Sequence, residues 1–317
     1  MDITEVQERP QQNETKGSVF TSLLLLIAFV FLGLFVGQFL GMVLIFLLLD
    51  FDLSQVMQLL SNPAPLPQAR AALLILQAGG ALFGFVLTPL VHQQFIDRTS
   101  LPQLLSARRT EWFPLLLVLG LVLAFMPVNS MVMEWNISLD FGPISPAFQE
   151  WAYAKEEELR QLTEYLTRFE SLGGLLGGVL VIAVLPAVGE ELVFRGILQR
   201  RLYNLVGNPH VAVWVAALIF SAIHFQFFGF FPRLLLGALF GYIYYWSGNL
   251  WYAIFAHFVN NGFTLVMLYL YQQGSVDMNI DSTESVPWSV AVGALLVCGA
   301  ILYFFKQQTD QPTLHGQ

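Results

Sequence analysis

Leu185-Pro186-Ala187-Val188-Gly189-Glu190-Glu191-Leu192-Val193-Phe194-Arg195 places two adjacent carboxylates and a guanidinium in a run that is otherwise apolar enough to cross a bilayer. Ionisable groups at membrane depth are costly, so they are paired, turned inward and tied to function as a rule. Successive helical residues differ by about 100° around the axis, so Glu190 and Glu191 cannot share one face. Glu191 and Arg195 stand at i and i+4, the spacing at which a carboxylate and a guanidinium pair along a helix. The pattern predicts a structural ion pair between Glu191 and Arg195 and leaves Glu190 without a partner in its own helix.

Outward from this stretch the chain keeps the same character. Its 317 residues are 56% hydrophobic and 11% charged, with a mean hydropathy of +0.63, which excludes an ordinary soluble domain. The expected fold class is all-α, a polytopic membrane protein. Apolar runs long enough to span lie near 19 to 49, 71 to 95, 113 to 133, 173 to 198, 210 to 229, 250 to 271 and 287 to 305. A shorter run at 233 to 246, bounded by Phe231-Pro232-Arg233 and Ser247-Gly248-Asn249, brings the count to eight helices; read as re-entrant, it leaves seven.

The chain divides into a polar, disordered tail at 1–16, N-terminal membrane helices at 17–172, a C-terminal helical core with the last helix at 173–305, and a tail at 306–317. The first apolar run is far longer than the h-region of a removable signal peptide. With eight crossings, nine Lys and Arg residues fall on the side of the termini and five on the other. The positive-inside rule then puts both termini in the cytoplasm, and the compact charge pattern suggests a bacterial plasma (inner) membrane. The Pro-rich Asn62–Pro67 stretch reads as an extended outer loop. Residues 146–170 read as an amphipathic helix on the outer surface, with a solvated charged face or, more sharply, a role as a lid. Gly173-Gly174-Leu175-Leu176-Gly177-Gly178 is a place for a second helix backbone to approach. The one cysteine, Cys298, lies in an apolar run, which argues for a packing role and against a disulfide framework.

Two histidines join the glutamates. Gly207-Asn208-Pro209 is a strong turn signal midway between Glu190 and His224, so a hairpin closing there sets the two at similar depth. His257 is followed at i+3 and i+4 by Asn260 and Asn261, which puts an imidazole and an amide donor on one helix face. In a water-filled cleft Glu190 can act as general base on a water that His224 helps to hold. Asn261, or Asn260 in its place, can orient His257 or donate to a developing oxyanion. A two-imidazole, one-carboxylate zinc site built from Glu190, His224 and His257 is the alternative, although the His-Glu-x-x-His spacing is absent.

These residues resemble the CPBP family of intramembrane endopeptidases, which includes type II CAAX prenyl proteases and bacterial Abi proteins linked to bacteriocin processing and immunity. Glu190, Glu191 and Arg195 match its Glu-Glu-x-x-x-Arg motif, Phe220 to His224 its Phe-x-x-x-His motif, and His257 to Asn261 its His-x-x-x-Asn motif. The resemblance implies that Glu190 is the water-activating carboxylate, His224 its partner, and His257 with Asn261 the oxyanion-stabilising or metal-binding pair. Glu191, Arg195 and Phe220 become structural support. It also implies hydrolysis of a peptide bond in a membrane-associated peptide or protein, lipid-modified or not, with membrane lipids as surroundings and no nucleic acid. Two readings from other classes compete: a proton-coupled transporter relaying protons through these Glu and His residues, and a non-catalytic immunity or scaffold protein.

Overall fold

The computed structural model describes residues 15–61, 68–97, 104–105, 109–277 and 286–309. The protein is all-α among these. Its helices are α1 Lys16–Leu48, α2 Leu53–Ser61, α3 Ala69–Asp97, α4 Trp112–Ile137, α5 Pro146–Leu166, α6 Leu172–Val206, α7 Pro209–Ala222, α8 Phe230–Ser247, α9 Leu250–Gln272 and α10 Trp288–Thr309. Six of them, α1, α3, α4, α6, α9 and α10, are long and apolar enough to cross a membrane. The chain is thus a multi-spanning membrane protein. Eight are expected from the sequence and six are candidates among the described residues: α7 has only 14 residues, and α8, at 18 residues, is not apolar enough along its length.

The run expected to be helical from 210 to 229 stops at Ala222. Phe225 takes a left-handed φ of 53°, which no helix continues, and residues 223–229 form a connecting loop. The polar helix expected at 146–170 ends at Leu166, and its Ser145 side chain caps the N-terminus at the Phe148 N–H. The first helix begins at Lys16 with Thr15 as its cap, so those two residues leave the expected tail. At the other end α10 runs on to Thr309. Residues 1–14, 62–67 and 310–317, and the expectations placed on them, lie outside the described residues.

In α1, Phe31, Phe35 and Phe39 are exposed at successive i+4 positions, a lipid-facing stripe. The opposite face carries Gly33, Gly37 and Gly41 against α3. A Cβ on Gly37 would stand 2.2 Å from the Gly79 carbonyl oxygen, and one on Gly79 would stand 2.5 Å from that of Gly37, so glycine at both positions lets the two backbones touch. The close helix approach expected at 173–178 therefore occurs here instead. At the expected place Gly178 faces the Phe169 ring, Gly174 faces Arg70, and a Cβ on Gly177 would meet nothing within 4 Å.

Two widened, π-type stretches precede prolines: Ala81–Leu87 before Pro89, and Val179–Val184 before Pro186. Proline removes an N–H and crowds the carbonyl one turn earlier, and a wider turn relieves both. Thr88 Oγ1 sits 2.8 Å from the Phe83 carbonyl oxygen and takes up part of the polarity released there. A further widened stretch, Leu192–Gln199, follows Glu191 directly. The glutamate pair thus lies on a short regular segment between two irregular ones, where widened turns commonly mark functional sites.

Two apolar clusters bracket this segment. Val118, Leu121, Phe240, Ile243, Ala253, Ala256, Cys298 and Phe305 join α4, α8, α9 and α10, and Cys298 packs there as a small buried side chain. Leu26, Ala187, Phe194, Ile197, Phe220, Leu250 and Ile254 join α1, α6, α7 and α9.

Candidate active site

The α6–α7 hairpin turns where the sequence signals it. Gly207 closes α6 in the left-handed conformation at φ 69°, the Asn208 side chain accepts from the His210 and Val211 N–H groups, and Pro209 fills the first helical position. His224 therefore emerges just past the end of α7, in the connection to α8.

Glu191 and Arg195 are both fully buried, and Arg195 Nη1 donates to Glu191 Oε1 at 2.6 Å. Arg195 Nη2 donates to the Gly237 carbonyl at 2.8 Å, and its guanidinium lies 5.0 Å from the Phe220 ring and 5.6 Å from the Phe240 ring. A charge in this environment is tolerable only with paired, hydrogen-bonded geometry of this kind. One turn on, Gln199 Nε2 donates to the Gly241 carbonyl at 3.1 Å, so Arg195 and Gln199 form two rungs between α6 and α8.

His257 of α9 joins the same carboxylate: its Nδ1 lies 2.9 Å from Glu191 Oε1. A carboxylate only accepts, so Nδ1 carries the hydrogen and Nε2 is turned the other way. Nε2 faces Glu190 Oε2 at 3.8 Å. The imidazole is further held by stacking on Phe240, with ring centroids 5.3 Å apart. Glu190 differs from its neighbour in keeping 19% of its side chain exposed, against none for Glu191.

His224 Nδ1 lies 2.7 Å from the Phe220 carbonyl oxygen, which fixes this ring as the Nδ1–H tautomer and leaves Nε2 outward. Phe220 stands between the two imidazoles, 5.1 Å from His224 and 6.1 Å from His257 by ring centroids. Asn261 Nδ2 donates to the Ile182 carbonyl at 3.4 Å and Asn260 Nδ2 donates to Asn261 Oδ1 at 3.1 Å. The group hydrogen-bonded to His257 is Glu191 and belongs to α6, an arrangement that i+4 spacing within α9 does not announce. Among the described residues no three His, Cys, Asp or Glu side chains converge as a metal-binding set.

Sequence reasoning passed over two other contributors. Asn136, buried at the end of α4, donates to the Phe227 carbonyl at 3.0 Å and accepts from the Phe231 N–H at 2.9 Å, clamping the loop that begins at His224. Arg233 opens α8, donates through Nη2 to Gln226 Oε1, and extends its charge to Glu190 and His224. A lone polar residue at the end of an apolar run was the only signal for either.

Residues 173–263 match the family model described as Type II CAAX prenyl endopeptidase Rce1-like. That stretch covers Glu190, Glu191, Arg195, Phe220, His224, His257 and Asn261. The chain is 34% identical over 85 residues to a protein of Bacillus subtilis (strain 168) described as uncharacterized protein YpbD, a match that covers 26% of this chain and 40% of that protein. The chain thus spans well under half the length of this relative. No solved structure matches.

Proposed function

We propose, from the premise that residues 173–263 are a CAAX-protease-like domain, that the protein is an intramembrane endopeptidase hydrolysing a peptide bond in a membrane-associated peptide or protein. The observation that carries the reading is the relay of contacts at Glu190. Its Oε2 faces His257 Nε2, while His257 Nδ1 is anchored by a Glu191 carboxylate that Arg195 holds in place. A separation of 3.8 Å is too long for a direct hydrogen bond and leaves room for a water at the apex, within reach of both groups.

In this scheme Glu190 takes a proton from the water as its oxygen adds to the scissile carbonyl carbon, and passes that proton to the nitrogen as the tetrahedral intermediate collapses and the C–N bond breaks. His224, with Nε2 outward, helps to hold the water. Asn261 keeps a second amide hydrogen beyond the one given to Ile182, available to the oxyanion. Glu191, Arg195 and Phe220 hold the geometry. The short helices α7 and α8 complete the passage of the chain through the membrane beside the six longer spans, giving eight crossings with both termini in the cytoplasm of a bacterial cell. The substrate is a peptide, with or without a lipid group.

The test is cleavage of an internally quenched peptide panel by the purified protein in lipid. Removal of a general base costs about 10²–10⁴-fold, so Glu190→Ala is expected to abolish measurable turnover and His224→Ala to reduce it severely. Full activity in both variants overturns the assignment.

A further inference from the structure

Arg195 finds its acid on its own helix. The second cation near the site, the half-buried Arg233, does not. Arg233 stands one turn into α8, its backbone N–H donating to the Gly229 carbonyl at 3.2 Å, at the far end of the loop that starts with His224. That loop is held from below by Asn136 and by Ser221, whose Oγ donates to the Phe230 carbonyl at 2.6 Å. From above it is covered by α5. Phe148 and Trp151 pack on Phe227, each at 5.2 Å between ring centroids, and Tyr153 stacks on Phe228 at 4.7 Å. The C-terminal end of α5 is held separately by α3, where Arg70 Nε donates to the Leu166 carbonyl at 2.9 Å, while Leu162 between the two ends is 40% exposed.

The aromatic end of α5 also brings a carboxylate. Glu156 Oε2 is buried without a hydrogen-bond partner among the described residues, and so is Arg233 Nη1. Burial pushes the Glu156 carboxyl above its ordinary range, while the Phe228 N–H and the charge of Arg233 pull it back. The acids whose charges bear on Arg233 are Glu156 and Glu190. A guanidinium has a fixed set of donors in a rigid fork, so the carboxylate that holds it fixes where its charge stands relative to any other acid nearby.

We infer that Arg233 is a positioning residue for the proposed reaction, a countercharge shared between Glu156 of α5 and Glu190, through which the docking of α5 sets the state of the site. The inference rests on the reading of Glu190 as the base. Three consequences follow. Loss of the Arg233 charge weakens turnover more than binding. A lysine in its place restores much of what is lost. The effect of Glu156 passes through Arg233.

The experiment measures kcat and KM on the best peptide of the quenched panel, with full-length protein in lipid nanodiscs. For Arg233→Gln, kcat is expected to fall about tenfold with KM little changed, and Arg233→Lys to recover most of the loss. Glu156→Gln is expected to change kcat by a few-fold in the wild-type background and to have no further effect in Arg233→Gln. Unchanged kcat in Arg233→Gln beside an inactive Glu190→Ala overturns the inference and leaves the peptidase reading standing. Failure of Arg233→Lys to recover, with Glu156→Gln additive to Arg233→Gln, marks Arg233 as merely structural and also overturns it. Full activity in Glu190→Ala removes the reading on which the inference rests.

Discussion

Glu191 with Arg195 in α6 and Arg160 with Glu164 in α5 are both carboxylate–guanidinium pairs at i and i+4. The first is fully buried; in the second both side chains are more than half exposed. The surface pair belongs to a chain of neighbours, since Arg160 also meets Glu157 and Lys155 meets Glu158. Every one of these contacts is to a charge on the same helix. The buried pair instead recruits other elements: the Gly237 carbonyl and Phe240 from α8, Phe220 from α7 and His257 from α9. Identical spacing thus makes a solvated face in water and a four-helix junction in the membrane interior, because only in the second are the remaining donors denied water.

Breaking the buried pair should give the largest effect. Glu191→Ala leaves the Arg195 charge uncompensated and His257 Nδ1 without its acceptor, a change expected to cost about 3–5 kcal/mol. Thermal unfolding in detergent checks it; a midpoint within error of wild type contradicts the assigned role. Reversal sharpens the comparison. The swap Glu191→Arg with Arg195→Glu keeps a pair on α6 but faces His257 with a cation, so it should not restore stability. The swap Glu157→Arg with Arg160→Glu on α5 should leave the midpoint where it was.

How much of this was open to sequence reading follows from the range of the interactions involved. Hydropathy runs gave the all-α class and most helix positions, since burial in lipid is a local, additive property of a segment. The Glu191–Arg195 pair and the Gly207–Pro209 turn were legible because both partners lie within one turn of chain. The end of α7 was missed because four of residues 223–229 are Ile or Phe and continue the apolar run, while the backbone turns away at Phe225. The Gly37–Gly79 contact was missed in favour of the more conspicuous glycines at 173–178, because spacing shows a smooth face but not what lies opposite. The Glu191–His257 bond and the place of Arg233 depend on how α6, α8 and α9 pack together, which no single segment encodes.

A smaller effect separates charge from burial. Gln199 repeats the Arg195 contact one turn later with a neutral donor, to Gly241 instead of Gly237. Gln199→Leu keeps the bulk and removes one neutral hydrogen bond, a loss of about 1 kcal/mol. The same unfolding assay should therefore rank Glu191→Ala well above Gln199→Leu. Equal losses would show that the α6–α8 contact itself, independent of charge, holds the junction together.

The smallest expected effect lies on α5, and titration reads it more sensitively than unfolding. Hydrogen bonds from Arg160, through Nε at 2.8 Å and Nη2 at 2.7 Å, and then one from Gln161 at 2.7 Å, hold the Glu157 carboxyl at about 2 against an ordinary 4.5. Because the folded value is the lower one, the contribution of this group is complete above the ordinary carboxylate range and disappears as pH falls toward 2. Exposed pairs contribute little to stability, so Arg160→Ala should leave the unfolding midpoint at neutral pH unmoved. The same substitution should nevertheless carry the Glu157 midpoint, followed by carboxyl carbon-13 NMR, most of the way back to 4.5, with Gln161 retaining the remainder. A midpoint that stays near 2 in Arg160→Ala would assign the effect to Gln161. A loss of stability at neutral pH would mean that the surface pairs of α5 resemble the buried pair of α6 more closely than their exposure allows.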